Sequence, residues 1–566
     1  MLRVRWLGRV PYEEAHTLQQ ALHARGDENH LLLLEHPHVF TLGAHADDRH
    51  VLVDPAEVGA AVVRTDRGGD VTYHGPGQLV GYPVLGVPMG PGAVPGHVHR
   101  VEQVVVDALA DLGVEAGRLD GYPGVWVEPG GSRPRKICAI GVRVSRGRSM
   151  HGFALNVDPD LGWFGRIVPC GIADKAVTSL AAEGVRVPMA RVVDVVAAHA
   201  ARLWSTGGVV ERQDVAWPES GTSARRGAAV LSGPSGPSDA GGGGERLRVR
   251  LRQAGVRPEA GVAVSARKPE HLRVKAHMGP EFQALRRTMR SLELVTVCEE
   301  AGCPNIFECW ADGTATFMIN GERCTRACGF CQVDTRKPLA QDPAEPAHVA
   351  EAVDRLGLAH AVVTAVARDD LSDGGAGAFA ATIGAIRART PGVAVEVLVP
   401  DCKGDPRSLA AIVDARPDVF NHNLETVARL QRAVRPSAGY ARSLAVLARA
   451  KDAGLVTKSG IILGMGESAG EVLGALADLR GVGVEIVTLG QYLRPSAAHL
   501  PVARWWSPAE FDELRDAGRA MGIPHVEASP LTRSSYHARS AAAAATGITA
   551  TVTAASAPAP AAVAGP

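Results

Sequence analysis

The chain has no surplus of charge, since 60 Lys and Arg offset 60 Asp and Glu over 566 residues. A general nucleic-acid or membrane-surface binder carries a basic excess, so neither nucleic acid nor membrane is an expected partner. It also lacks a charged-then-apolar export signal, because the sequence opens MLRVRWLGRVPYEEAH. A cytoplasmic protein is therefore expected, with its nine cysteines held as thiols or metal ligands. Residues 541–566 lack charge and leucine and are dominated by Ala, Thr, Ser and Pro. Residues 539–566 thus read as a disordered tail, not as a membrane span. What is present in quantity is apolar, 46% of residues, which excludes a wholly disordered chain.

At roughly 100–200 residues per domain, this length predicts at least two domains. Composition breaks once, in a Gly, Ser, Pro and Ala stretch that ends SGPSGPSDAGGGG. Residues 205–245 read as a flexible tether with a reach of roughly 35 Å. No internal repeat relates the flanks, so residues 1–204 and 246–538 are expected to be different modules. The first has strand-like runs such as GVWVE and MHGFALNV beside the amphipathic HVHRVEQVVVDALADLG, which predicts a mixed α/β sheet domain. In the second, apolar strands alternate with helices, which predicts βα units closed or partly closed into a barrel. Polar residues at the strand ends of such barrels form sites. Here Asp369, Asp370, Asn421, Asn423, Glu425, Lys458 and Gln491 are placed at those ends.

Six of the nine cysteines fall in two triplets, Cys298-x4-Cys303-x5-Cys309 and Cys324-x3-Cys328-x2-Cys331. A structural zinc site wants four closed ligands, commonly as two C-x2-C pairs, and three plus three fits it poorly. Soft thiolates in close triplets suit iron–sulfur clusters better; structural zinc and bare thiols are the alternatives. C-x3-C-x2-C ahead of a βα barrel resembles the radical S-adenosylmethionine superfamily. Together CEEAGCPNIFECW, CTRACGFCQV, PDVFNHNLETV, TKSGIILGMGE, GQYLRPS and RSSYHA resemble lipoyl synthase over nearly all of 267–538.

That resemblance implies two [4Fe-4S] clusters and S-adenosyl-L-methionine. Cys324, Cys328 and Cys331 would hold the first cluster, whose open iron takes the amino and carboxylate groups of S-adenosylmethionine. A one-electron reductant would then release a radical able to attack unactivated C–H bonds at C6 and C8 of a protein-bound octanoyl chain. Cys298, Cys303 and Cys309 would hold a second cluster that supplies sulfur, with Ser535 of RSSYHA as fourth ligand and Cys402 as the rival. Asp369, Asp370, Asp373, Gly374 and Gly375 are expected to contact S-adenosylmethionine, or else to form a turn and helix cap. The stretch EASPLT departs from the family, which more usually has glycine where Ser529 stands.

The first module contains RGGDVTYHGPGQLVGYP, whose glycines let backbone approach a ligand closely, with Arg67 or His74 near an acyl group or phosphate. Cys170 lies in a Pro-Cys-Gly turn, and Lys136 is one of only two lysines in the module. An ammonium beside a thiol favours thiolate, so the pair suits acyl transfer, or Cys170 is an ordinary buried cysteine. RGGDVTYHGPGQ, KICAIGVR, HGFALNV and VPCGIADKAVTSL resemble octanoyl-[acyl carrier protein]:protein octanoyltransferase over nearly all of 1–204. The resemblance implies that Cys170 carries octanoyl as a thioester and that Lys136 tunes it and shuttles the proton. Arg67, Gly68, Gly69, Asp70, Val71, Thr72, Tyr73, His74, Ala139, Ile140, Gly141, Gly152, Phe153 and Ala154 would line the acyl pocket. Cys138 beside Lys136 reads as a small packed residue. Implied partners are octanoyl-acyl carrier protein, the lipoyl domains of 2-oxoacid dehydrogenase complexes and glycine cleavage H protein. The alternatives are a lipoate-protein ligase-like first module or a non-catalytic docking module.

Overall fold

A computed structural model of the chain describes residues 1–26, 28–169, 175–217, 242–273 and 314–546. It also describes positions 283, 287, 289–291, 295, 296, 305, 306 and 309. Cys170, Cys298, Cys303 and residues 218–241 and 547–566 lie outside the described residues.

The first module is a mixed α/β sheet domain. Its strands in chain order are β1 (Leu2–Arg9), β2 (Asn29–Glu35), β3 (Val39–Leu42), β4 (Ala61–Arg64), β5 (Val71–His74) and β6 (Gln78–Val84). They continue with β7 (Ala116–Leu119), β8 (Tyr122–Val127), β9 (Arg135–Ser145), β10 (Arg148–Asn156), β11 (Ala176–Val177) and β12 (Val210–Asp214). The large sheet runs β12-β1-β2-β6-β10-β9-β8-β7 with β11 added to β9, and β4-β3-β5 form a small second sheet. Helices α1 (Tyr12–Arg25), α2 (Ala93–Asp111) and α3 (Met189–Trp204) cover the large sheet. The leucine run of β2 is buried throughout, as expected of a strand covered on both faces.

The second module is a parallel sheet with helices between its strands, open at the edge and so a partial barrel. Its strands are β13 (Val295–Thr296), β14 (Thr314–Ile319), β15 (His360–Ala365), β16 (Ala394–Leu398), β17 (Val419–Asn421), β18 (Val456–Leu463), β19 (Ile486–Gln491) and β20 (His525–Ala528). They pair in sequence order, antiparallel for β13–β14 and parallel from β14 to β20. The helices are α4 (Gly242–Gln253), α5 (Glu345–Arg355), α6 (Ala376–Arg389), α7 (Pro406–Asp414), the single turn α8 (Gln431–Val434), α9 (Tyr440–Asp452), α10 (Ala469–Gly481), α11 (Pro508–Ala520) and α12 (Ala538–Thr546). Ser468 and Ser507 start α10 and α11 with reciprocal Ser–Glu capping boxes, which satisfy backbone N–H groups that the helix leaves unpaired.

Three expectations are corrected at the boundaries. Val210–Asp214, inside the stretch read as tether, pairs in parallel with β1 and extends the first sheet. The same stretch is entered from the other side by α4, which begins at Gly242. The segment read as a disordered tail begins with α12, whose Ala541 is buried against Val419 and Ile486 at the starts of β17 and β19. Alanine-rich composition permitted both outcomes, and the small side chains fit under the barrel floor. No helix among the described residues is long and apolar enough to cross a membrane.

The modules share a core. Leu7, Val10, Ala15, Leu18 and Leu22 of the first join Leu444, Leu447, Leu479 and Val482 of the second in one buried cluster.

Candidate active sites

In the first module, β6, β9 and β10 form the floor of a cleft of about 400 Å³, counting its open mouth. Its lining includes the expected Arg67, Thr72, His74, Ala139, Ile140, Gly141, Gly152, Phe153 and Ala154. Tyr12, Tyr82 and His151 line it too and were not anticipated. Gly152 is required there, because a Cβ would stand 2.2 Å from the Gly81 carbonyl oxygen. Of the expected residues, Tyr73 turns away from the cleft and stacks on Trp163. Asp70 bonds His50 at 2.5 Å and caps its own loop. Arg67 donates to the carbonyls of Thr41 at 2.6 Å, Asp70 at 2.8 Å and Gly68 at 3.1 Å, so its guanidinium holds the glycine loop in shape.

At one end of the cleft His151, in a left-handed conformation at φ 60°, bonds Asp66 through Nε2 at 2.7 Å. His16 stands 3.7 Å from the same carboxylate. Burial pushes the His16 imidazole down to about 4, helped by His151, so it is neutral at pH 7. The group is a candidate metal triad by composition. Arg143, however, also pairs with Asp66, and its cation already stands where a metal's charge would act.

Lys136 is not among the residues that line the cleft; it lies on β9 three residues before Ala139, 9% exposed, with its ammonium 4.8 Å from the Trp126 ring centre. β11 pairs in parallel with this strand, Val177 opposite Lys136 and Ala176 opposite Arg135. Thr178 then donates its N–H to the Lys136 carbonyl at 2.9 Å. Residues 176–178, six to eight positions after Cys170, are therefore zipped against the strand of Lys136. Cys138 is the packed residue expected: fully buried, its thiol donating to the Ala139 carbonyl, with burial pushing its pKa up.

In the second module, Cys324, Cys328 and Cys331 sit on the loop after β14. Cys324 Sγ accepts N–H groups from Arg326 at 3.4 Å and Ala367 at 3.3 Å. Burial raises the thiols of Cys328 and Cys331, the latter to about 11. Arg326 reaches from this loop to both oxygens of Asp369 at 2.7 and 2.8 Å and to the fully buried Asp401 at 2.6 Å. Asp369 thus braces the cysteine loop. Asp370 pairs with Arg368 at 2.9 Å. Asp373 accepts the N–H groups of Gly375 at 2.9 Å and Gly377 at 2.8 Å, the helix cap of the alternative reading. Gly374 and Gly375 have φ of 62° and 87°, so both are left-handed turn positions.

Lys458 is not among strand-end groups, as expected above, but is the third residue of β18 and fully buried. It pairs at 3.0 Å with Glu396, which also bonds Asn421 at 3.1 Å and faces His360 at 3.5 Å. Burial alone would push Glu396 up, but Lys458 and His360 more than offset it and hold its pKa to about 2. This layer fills the barrel interior. Gln491 is also occupied structurally: its amide donates to Leu463 and accepts from the N–H of Trp506.

The loop before the C-terminal motif meets Asn305, which lies between Cys303 and Cys309 in sequence. Asn305, two residues after Cys303, donates its side-chain amide to the Leu531 carbonyl at 2.7 Å, and Cys309 donates its N–H to Asn305. Ser529 bonds Thr532 at 2.9 Å, so the serine that departs from the family pins the loop that leads to Ser535. Cys402 is 4% exposed, and burial pushes its thiol up to about 12.

Residues 253–303 match the family model "N-terminal domain of lipoyl synthase", and 318–479 match the radical SAM superfamily. A lipoyl synthase of Rubrobacter xylanophilus is 56% identical over 273 residues, 48% of this chain and 85% of the relative. Those of Leifsonia xyli and Mycobacterium leprae are each 52% identical, over 52% of this chain and 88% and 91% of the relatives. The chain belongs to the lipoyl synthase family.

The lipoyl synthase half is preceded by a second catalytic unit: residues 11–201 match the lipoyl protein ligase A/B catalytic domain. Among solved structures, a Thermoplasma acidophilum lipoate protein ligase is 18% identical over 38% of this chain and 87% of that chain, with a TM-score of 0.32. Streptococcus suis SuiB bound to S-adenosylmethionine is 10% identical over 40% of this chain and 54% of that chain, also at 0.32. The chain is an enzyme that couples a transferase-type domain to sulfur insertion. Lipoyl synthase membership implies a [4Fe-4S] cluster and S-adenosylmethionine. The donor set fits a cluster: three clustered thiols whose protons must leave on binding, with backbone N–H groups aimed at Cys324 sulfur.

Proposed function

We propose that this chain performs two consecutive steps of protein lipoylation. In the first module, Cys170 Sγ attacks the thioester carbonyl of octanoyl-acyl carrier protein. The C–S bond to the carrier breaks, the carrier thiol leaves with a proton, and octanoyl is held as a Cys170 thioester. A lysine amine of a lipoyl domain then attacks that carbonyl, forming an amide and releasing the Cys170 thiol. No ATP is consumed, because a thioester is already activated. Lys136 is the proton shuttle and the cation that favours thiolate. The observation that supports this reading is the β9–β11 ladder, which sets Ala176 and Val177, six and seven positions after Cys170, against Arg135 and Lys136 on a strand that also floors the cleft. At about 0.8 kcal/mol per buried CH₂, an octanoyl chain in that cleft gains roughly 5 kcal/mol.

In the second module, Cys324, Cys328 and Cys331 are the ligands of the cluster that works with S-adenosylmethionine, and Cys298, Cys303, Cys309 and Ser535 those of a second, sulfur-supplying cluster. Bound together, these groups supply the radical and sulfur chemistry at C6 and C8 of the octanoyl chain. The protein's own part is positional: Arg326 and Asp369 fix the Cys324 loop, and Asn305 ties the loop that leads to Ser535. Acceptors are lipoyl domains of 2-oxoacid dehydrogenase complexes and glycine cleavage H protein, and a cytoplasmic one-electron reductant is required. The modules are best bounded at 1–217 and 242–546.

The test is intact-mass analysis of an apo lipoyl domain offered octanoyl-acyl carrier protein without ATP. Octanoylation by the wild type and its loss in Cys170→Ser support the reading. Modification only with free octanoate and ATP would make the first module a ligase.

A further inference from the structure

A surface helix buries one apolar stripe, about 100° wide or somewhat more. The helix α1 buries Tyr12, Glu14, Ala15, Leu18, Gln19, Ala21 and Leu22, which at 100° per residue cover about half its circumference. Two adjoining faces are therefore covered. On the first, Tyr12 lines the acyl cleft and Gln19 accepts the N–H of His151 at 2.8 Å. The second belongs to the barrel, where Glu14 takes the Arg442 guanidinium of α9 at 2.7 Å and Arg25 pairs with Asp452.

Around this helix the barrel surface is cut to fit. A Cβ on Gly481 would stand 2.9 Å from Leu22, and one on Gly404 2.7 Å from the Glu14 carboxylate. Beside it, Arg5 of β1 donates to both oxygens of Asp478 on α10 at 2.9 Å, and the Tyr440 hydroxyl donates to Asp478 at 2.8 Å. The Arg5 and Asp478 side chains are 3% and 6% exposed. Gln213 of β12 reaches the Glu471 carbonyl at 3.1 Å. A charge pair this buried is costly when one partner is missing, so each surface specifies the other.

We infer that the barrel buttresses α1, so that the two modules act as one docked body and the acyl cleft keeps its working shape only while the barrel is seated. This rests on the first module being the octanoyl transferase. The lipoyl domain is then passed between two fixed sites, not carried between two swinging ones.

The full chain, reconstituted anaerobically and carrying a protease site within 218–241, tests this before and after cleavage. Size exclusion and amide exchange of residues 12–25 need no enzymatic activity and decide the docking. The cut wild type is expected to elute as one species with α1 protected. Asp478→Ala should release the halves, speed α1 exchange at least tenfold and lower octanoyl transfer at least tenfold. Gly481→Leu, which leaves Asp478 in place and adds bulk against Leu22, should do the same. Halves that separate when the wild type is cut, or variants in which α1 stays as protected, overturn the inference. Absence of octanoyl transfer in the intact chain would instead count against the functional reading alone.

Discussion

The side-chain amide of Asn305 donates to the backbone carbonyl of Leu531 at 2.7 Å, across 226 positions of sequence. This contact ties Asn305, which lies between Cys303 and Cys309 in sequence, to the loop that leads to Ser535. It links two stretches of sequence that no spacing rule connects, and the proposal that Ser535 is a ligand of the second cluster draws on that link.

Ser535→Ala should therefore lower iron from about eight per chain toward about four, two cubanes becoming one. Cleavage of S-adenosylmethionine should persist while lipoyl product disappears. Cys402→Ala should leave both iron and product unchanged. Iron analysis with product mass spectrometry checks this; iron lost in Cys402→Ala would reassign the ligand.

Arg326→Leu removes the cation shared by Asp369 and Asp401, and Asp401 is fully buried. A buried charge left wholly unpaired costs about 3–5 kcal/mol, and the loss here is smaller because Arg442 stays 3.8 Å from Asp401. A lower melting temperature and reduced iron at the Cys324 cluster are expected. Unchanged iron would mean that the loop is held without this bridge.

Lys136→Met should slow octanoyl transfer by at least tenfold and raise the pH at which Cys170 reacts with iodoacetamide, because the nearby cation is gone. An unchanged alkylation profile would remove Lys136 from the thiol's environment.

Burial holds His30 to about 3 and His36, His97 and His422 to about 4, all below the ordinary 6.5. Each is neutral when folded and protonated when unfolded in the window from about 6.5 down to about 4. The unfolded state binds more protons there, so stability falls as pH falls, by up to about 1.4 kcal/mol per unit for each histidine. Thermal unfolding at pH 7 and pH 5 should show a clear drop at pH 5. A flat profile would contradict these buried neutral states.

Much of this was legible in the sequence because glycine, cysteine and apolar periodicity report local requirements. The cleft glycines and the cysteine triplets are of that kind, as is the alternation that builds the barrel. Tyr12 and Tyr82 gave no signal, since a tyrosine facing a ligand looks like one facing a core. Lys458 misled because its strand position is fixed by pairing with Glu396, 62 positions away. The seating of α1 against α9 was equally hidden, because two surfaces that specify each other leave no motif in either. Ala538–Thr546 illustrates the same limit: its alanines suit a solvated tail or a helix under a barrel, and only the floor they meet decides.

The most direct measurement of the central claim follows one lipoyl domain by intact mass with octanoyl-acyl carrier protein, S-adenosylmethionine and a reductant. The wild type should add octanoyl and then convert it to lipoyl, with Cys170→Ser blocked at the first step yet able to complete the second on a pre-octanoylated domain. A wild type that never adds octanoyl from the carrier, or a Cys170→Ser variant that still does, would contradict the account.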